Sequence, residues 1–193
     1  PVTEHQIAMA KSAGITEIVL ATSYLSEVFT PYFGDGSKWG IKIKYAVEKE
    51  PLGTGGAIRN AAQLLGSDQS VVILNGDVLS SHNLAKQIHQ HELQDADVSL
   101  HLTQVQDARA FGCVPTDGDG RVTAFLEKME NPVTNQINAG CYVFNPRVIS
   151  AIPLDTVVSV EREIFPQLVA SGAKVFGYIE NAYWLDIGTP RAL

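Results

Sequence analysis

Short, uniformly apolar runs alternate along this chain with stretches of helical periodicity, and that rhythm limits its folds more than any other feature. Glu17 to Ala21 (EIVLA) and Val71 to Leu74 (VVIL) are apolar without alternation, as strands buried on both faces are. Ile41 to Val47 (IKIKYAV) alternates with period two and predicts a strand with one wet face. Between them, Thr3 to Ala13, Leu25 to Phe33, Ala57 to Leu65 and Asn83 to Leu93 read as helices. Thr3 can cap the first, and Gly14 follows it as a stop. The order α-β-α-β-α-β-α predicts an α/β domain with a parallel sheet and right-handed crossovers.

The second half changes character. Asp97 to Gln104, Gly112 to Thr116, Val122 to Leu126, Ile137 to Phe144, Lys174 to Ile179 and Tyr183 to Ile187 read as strands. Asp117-Gly118-Asp119-Gly120 is a turn between two of them. Ser159 to Ser171 reads as one helix, with Ser159 as cap and Glu161 and Glu163 in a first turn that favours acidic groups. The chain starts at Pro1 directly before a helix and ends at Leu193 after a loop. Neither end reads as a natural domain edge, so the expectation is a single domain, 1–193, that is part of a longer protein.

Composition narrows the function. Fourteen Lys and Arg against 21 Asp and Glu give a formal charge of −7 with no basic run, a poor match to nucleic acid or an anionic membrane. Apolar residues are 45% of the chain, enough for a sizeable core. The longest apolar runs are strand-length, far below the ~18 residues of a membrane span. Cys113 and Cys141 make no CxxC pair and fit a reducing cytoplasm. Cys141 lies in an apolar strand and reads as core rather than nucleophile. His89 and His91, two apart on a predicted helix, cannot share a face as metal ligands.

Several residues can carry chemistry. Leu52-Gly53-Thr54-Gly55-Gly56-Ala57 puts glycines between a strand and a helix, where backbone can approach a ligand and a helix N-terminus can offer N–H groups. The spacing is neither a P-loop nor GxGxxG. Asp77 follows a buried strand, at the end where open α/β sheets bind ligands, and a carboxylate there can hold Mg²⁺ against phosphate. Asp186 is an acidic residue in an apolar strand, able to share an ion with Asp77 if the strands converge. Glu127-Lys128, Asn138-Ala139-Gly140 and Glu161 complete the set. Singly, each has a plain structural reading: a turn, an Asx-turn, an edge strand, an exposed charge pair, a bulge, a dipole-favouring carboxylate.

Taken in order, LGTGGAI (52–58), NGD (75–77), FGCV (111–114), EK (127–128), INAGCYVF (137–144), SVEREIFP (159–166) and YWLDIGTP (183–190) resemble the sugar-1-phosphate nucleotidyltransferases, in particular the branch that makes GDP-mannose. The resemblance covers essentially the whole chain. It implies a Rossmann-like fold with a mixed, mostly parallel sheet and helices on both faces. It implies that Leu52, Gly53, Thr54 and Gly55 line the nucleotide. Asp77 and Asp186 would hold Mg²⁺, Gly112, Glu127, Asn138 and Glu161 would contact the sugar, and Lys128 would meet its phosphate. The implied reaction is GTP plus mannose 1-phosphate giving GDP-mannose and pyrophosphate, in the cytoplasm, with small-molecule substrates and a homo-oligomer left open. A thymidylyl- or uridylyltransferase acting on glucose or N-acetyl-sugar 1-phosphate is one alternative, and a catalytically silent nucleotide-sugar-binding homologue another.

Two local departures stand out: Met129 follows Lys128 where the family has Pro, and Gly55 stands where many relatives have Ala. The family's opening strand and its loop Gly-Thr-Arg-Leu-Arg-Pro-Leu-Thr do not occur in these residues, nor does a C-terminal β-helix. The resemblance therefore predicts a gap in the middle of the sheet, unpaired strand edges beside it, and little activity from residues 1–193 alone.

Overall fold

The computed structural model describes residues 2–22, 26–66 and 68–188. α1 (Val2–Ser12) buries Ile7 and Ala10 and stops at Gly14, whose φ of +86° suits a residue without Cβ. Thr3 lies inside its first turn rather than capping it. β1 (Glu17–Thr22) pairs in parallel with β2 (Lys42–Val47), from Glu17 opposite Lys42 to Thr22 opposite Val47. α2 (Ser26–Phe33) packs on this pair; Leu25, expected as its first residue, lies outside the described residues. Ile7, Phe33, Ile41 and Ile43 form the small core beneath.

The larger core belongs to a mixed sheet in the order β3 (Val71–Leu74), β6 (Gln136–Phe144), β5 (Val98–Gln104), β7 (Val175–Ile179). β6 runs antiparallel to β3 and β5, and β7 parallel to β5. Leu100, Leu102, Tyr142, Phe144 and Phe165 lie at its centre, with the Phe165 ring edge-on to Tyr142 at 4.9 Å. A third pair, β4 (Val78–Ser80) with β8 (Trp184–Asp186), is antiparallel and places Val78 opposite Asp186. α4 (Leu84–Leu93) starts at Asn83, whose side chain accepts from Lys86 N at 3.0 Å. α5 (Pro146–Ser150) follows Asn145 in the same manner.

Three expectations need correction. α3 spans Gly53–Ala62, so the glycines form its first turn and do not precede it. Gly112–Thr116 and Val122–Leu126 form isolated antiparallel bridges rather than strands, Cys113 with both Leu126 and Ile137 and Thr116 with Val122; Pro115 takes a backbone donor out of the middle. The helix expected over 159–171 is a π turn, Val160–Ile164, followed by α6 (Phe165–Ala170). Pro166 has no N–H to give residue 162 and its ring would crowd that carbonyl, and the wider turn relieves both. β4 and α5 were not expected at all, being three and five residues long.

β1 and β3 face one another across a cleft of about 970 Å³, lined by Ile18, Leu20, Ile58, Val71 and Ile73. Among the described residues β1 pairs only with β2, and β3 only with β6. No helix among them is long and apolar enough to cross a membrane.

Candidate active site

Asp77 and Asp186 converge. Asp77 sits in the turn between β3 and β4, and Ile187 N donates to its carbonyl at 2.9 Å. A Cβ on Gly188 would lie 2.5 Å from Asp77 Oδ2 and 3.0 Å from Asp186 Oδ1, so both carboxylates reach the space that Gly188 leaves open. Among the described residues neither is ion-paired with Lys or Arg. The turn is held from behind by α1: Gln6 Nε2 donates to Asn75 O at 2.7 Å and to Val78 O at 3.1 Å, and the His5 ring lies 3.0 Å from Ser80 O. The donor set fits Mg²⁺, a hard cation that commonly takes one or two carboxylates and completes its shell with substrate oxygens and water.

β6 brings the second group. Its pairing with β5 slips between Leu100 opposite Tyr142 and Leu102 opposite Asn138, a bulge centred on Asn138-Ala139-Gly140. Gly140 has φ +88°, and a Cβ there would meet Asn75 Nδ2 at 2.9 Å. The bulge is also where β8 docks, with Trp184 Nε1 donating to Ala139 O at 2.8 Å. Asn138 Nδ2 donates to the Tyr142 hydroxyl at 2.8 Å, and that hydroxyl lies 3.3 Å from Glu161 Oε1. Burial, and then the Glu161 charge, push Tyr142 well above the usual phenol range, so it stays a neutral donor.

The glycine-rich turn lies against the same helix start. Gly55 N and Gly56 N donate to Val158 O at 2.8 and 3.4 Å. A Cβ on Gly53 or Gly55 would sit 2.7 or 3.0 Å from that oxygen, and one on Gly56 2.5 Å from Thr156 O. The glycines are thus required by a close approach of backbone to backbone. The expectation of N–H groups open to an anion is corrected at these two positions, whose N–H groups are spent within the protein. Leu52 O accepts from Val158 N at 3.0 Å.

Gly112 packs its backbone on the Leu126–Glu127 segment, a Cβ lying 2.6 Å from Leu126 O, and the neighbouring Phe111 ring contacts Trp184 at 5.8 Å. Glu127 is exposed next to it. Lys128 is also exposed, and no hydrogen bond or ion pair among the described residues ties it to the cluster. Ser159 caps the π turn, accepting from Arg162 N at 3.1 Å as the sequence predicted. Cys113 and Cys141 are buried and unpaired, and burial lifts the Cys141 thiol far out of the thiolate range, which removes it as a nucleophile. Sequence reasoning missed Gln6, Tyr142 and Gly188. Only Gly188 carried a local signal, as the glycine two residues after Asp186. The end of its motif, Thr189-Pro190, lies outside the described residues.

The model of the nucleotidyl transferase family matches residues 1–193. A mannose-1-phosphate guanylyltransferase from Mycobacterium tuberculosis is 52% identical over 192 residues, covering 99% of this chain and 53% of that protein. A mannose-1-phosphate guanyltransferase from Yarrowia lipolytica is 34% identical, with 99% and 53% covered. The chain spans about half the length of the curated relatives it matches. Among solved structures, HddC from Yersinia pseudotuberculosis complexed with GMP-PN superposes with a TM-score of 0.82 at 26% identity, over 98% of this chain and 81% of that one. A Bacillus anthracis protein assigned as a glucose-1-phosphate thymidylyltransferase gives 0.84 at 20% identity, over 100% and 79%, a likeness of fold. Mixed α/β architecture, converging carboxylates and a family match over every residue lead to one placement: the chain belongs to the nucleotidyl transferase family.

Proposed function

We propose that this chain forms the catalytic site of an enzyme that transfers a guanylyl group from GTP to mannose 1-phosphate, giving GDP-mannose and pyrophosphate. The observation that carries the reading is the convergence of Asp77 and Asp186 over Gly188, beside the Asn138–Tyr142–Glu161 network. The choice of base and sugar is supported by the 52% identity to the mycobacterial mannose-1-phosphate guanylyltransferase and by the GMP-PN complex of the Yersinia relative.

In this reading a sugar-phosphate oxygen attacks the α-phosphorus in line and pyrophosphate leaves, with no protein nucleophile. Asp77 and Asp186 would hold Mg²⁺, which when bound would neutralise phosphate charge. An acidic chain needs that neutralisation to bring two anionic substrates together, and Lys128 adds to it at the sugar phosphate. The Leu52–Gly55 backbone lines the base and ribose. Asn138 and Glu161, held at fixed hydrogen-bond geometry, and Gly112 and Glu127 meet the sugar, so that orientation and electrostatics supply the rate. The two buried, unpaired cysteines support a cytoplasmic setting.

The test is pyrophosphate release by the protein carrying this sequence, with four NTPs against mannose, glucose and N-acetylglucosamine 1-phosphates. GTP with mannose 1-phosphate should be turned over best. A preference for UTP or dTTP with a glucose-type phosphate would replace the reading with the thymidylyl- or uridylyltransferase one. Silence with every pair, alongside retained nucleotide-sugar binding, would replace it with a regulatory homologue.

A further inference from the structure

Thr54 is exposed, yet its hydroxyl bonds to other groups of the protein. Its hydroxyl accepts from Val160 N at 2.9 Å and donates to Glu161 Oε2 at 2.7 Å. These roles are forced: an amide N–H can only donate, so the one hydroxyl proton goes to the carboxylate. Thr54 stands 107 residues before Glu161, and no sequence signal joins them. The contact is not isolated. Leu52 O, Gly55 N and Gly56 N all bond to Val158, two residues before Val160, and the glycines admit no side chain between the two segments. The other Glu161 oxygen faces the Tyr142 hydroxyl at 3.3 Å. Glu161 is therefore gripped from two sides, by α3 through Thr54 and by β6 through Tyr142. Ser159 Oγ, at 3.4 Å from Oε2, is a weaker third contact.

We infer that Thr54 is a positioning residue that fixes the Glu161 carboxylate and thereby couples the glycine-rich turn to the sugar subsite. The inference rests on the proposed function, which gives the turn to the nucleotide and Glu161 to the sugar. Thr54 then has no hydroxyl proton left to donate to the nucleotide, because that proton is held by Glu161. A charge-assisted hydrogen bond to a carboxylate is the strong kind, and its loss leaves both Val160 N–H and one carboxylate oxygen short of a partner.

Thr54→Val keeps the shape and removes the hydroxyl, while Thr54→Ser keeps the hydroxyl. Both are measured in the protein carrying this sequence, with the NTP and sugar phosphate that the pyrophosphate screen selects. Thr54→Val should raise KM for the sugar phosphate about tenfold, and KM for the nucleotide about twofold or less. Thr54→Ser should restore the wild-type value. In a double-mutant cycle, adding Thr54→Val to Glu161→Gln should change the sugar KM little further. An unchanged sugar KM in Thr54→Val, equal rises in both KM values, or full additivity with Glu161→Gln would overturn the inference. Wild-type turnover with a different base or sugar revises the proposed function and leaves this test intact. A wild type silent with every pair overturns the catalytic reading and this inference with it.

Discussion

Gly188 shows how much a site can depend on an absent side chain. The two carboxylates come together because nothing projects from residue 188, and a methyl group there would lie at 2.5 and 3.0 Å from their oxygens. Those oxygens end flexible side chains, so Gly188→Ala should fold and pay at the site. Its apparent affinity for Mn²⁺, read by calorimetric titration, should fall about tenfold or more, by analogy with mutations of metal-orienting groups. Unchanged Mn²⁺ affinity would show that the pair does not share an ion. At this scale the two acids were legible, because each breaks or ends an apolar run that a strand would otherwise continue. Gln6 was not, and Thr54 was legible as part of the glycine-rich turn but not as a partner of Glu161. Gln6 acts on carbonyls 69 and 72 residues away, and only the fold brings donor and acceptor together.

At the scale of elements, β4 is backed by a buried histidine pair. His82 follows β4, His101 lies in β5, and their rings stack at 3.9 Å. His82 Nε2 faces Gln87 Oε1 at 2.8 Å and so carries the proton, while Nδ1 faces Ser80 Oγ at 2.8 Å and accepts. His101 Nε2 donates to Glu180 O at 2.9 Å, and its Nδ1 has no partner among the described residues. Burial pushes His101 down to about 4, and His82 deepens the shift; burial lowers His82 as well. The sign follows from linkage. For His101 the unfolded chain takes up the proton near pH 6.5 and the folded chain not until about 4, so this contribution is complete above 6.5 and is lost as pH falls through that window; His82, also lowered by burial, acts in the same direction. His101 alone accounts for at most roughly 3 kcal/mol. Urea unfolding at pH 7.5, 5.5 and 4.5 should show the loss, and His101→Gln should flatten it. Equal pH slopes in the two proteins would contradict the assignment. This device was invisible in the sequence, since neither histidine has a patterned neighbour. The long strands and α4 were legible from periodicity, and the Ser159 cap from its residue type. β4 was too short to leave a pattern, and the π turn reflects Pro166 overriding an otherwise helical stretch.

For the whole molecule, the alternating rhythm of the first half predicted α/β architecture, and that is what forms. The pairing of β3 with the bulged β6 was not predictable, because register in a buried sheet is set by packing and not by local pattern. The cleft between β1 and β3 leaves two strand edges without strand partners among the described residues. Residues 1–193 produced as a separate chain should therefore associate with rising concentration in sedimentation velocity, and a single monomer boundary throughout would contradict this. Two carboxylates 109 residues apart, Asp186 on β8 and Asp77 in the turn before β4, form the proposed catalytic metal site. The most direct test is pyrophosphate release at saturating substrates by Asp77→Asn and Asp186→Asn in the protein carrying this sequence. Each variant should lose at least about 10²-fold, with thermal midpoints close to wild type. Near-wild-type turnover in either variant would contradict that assignment.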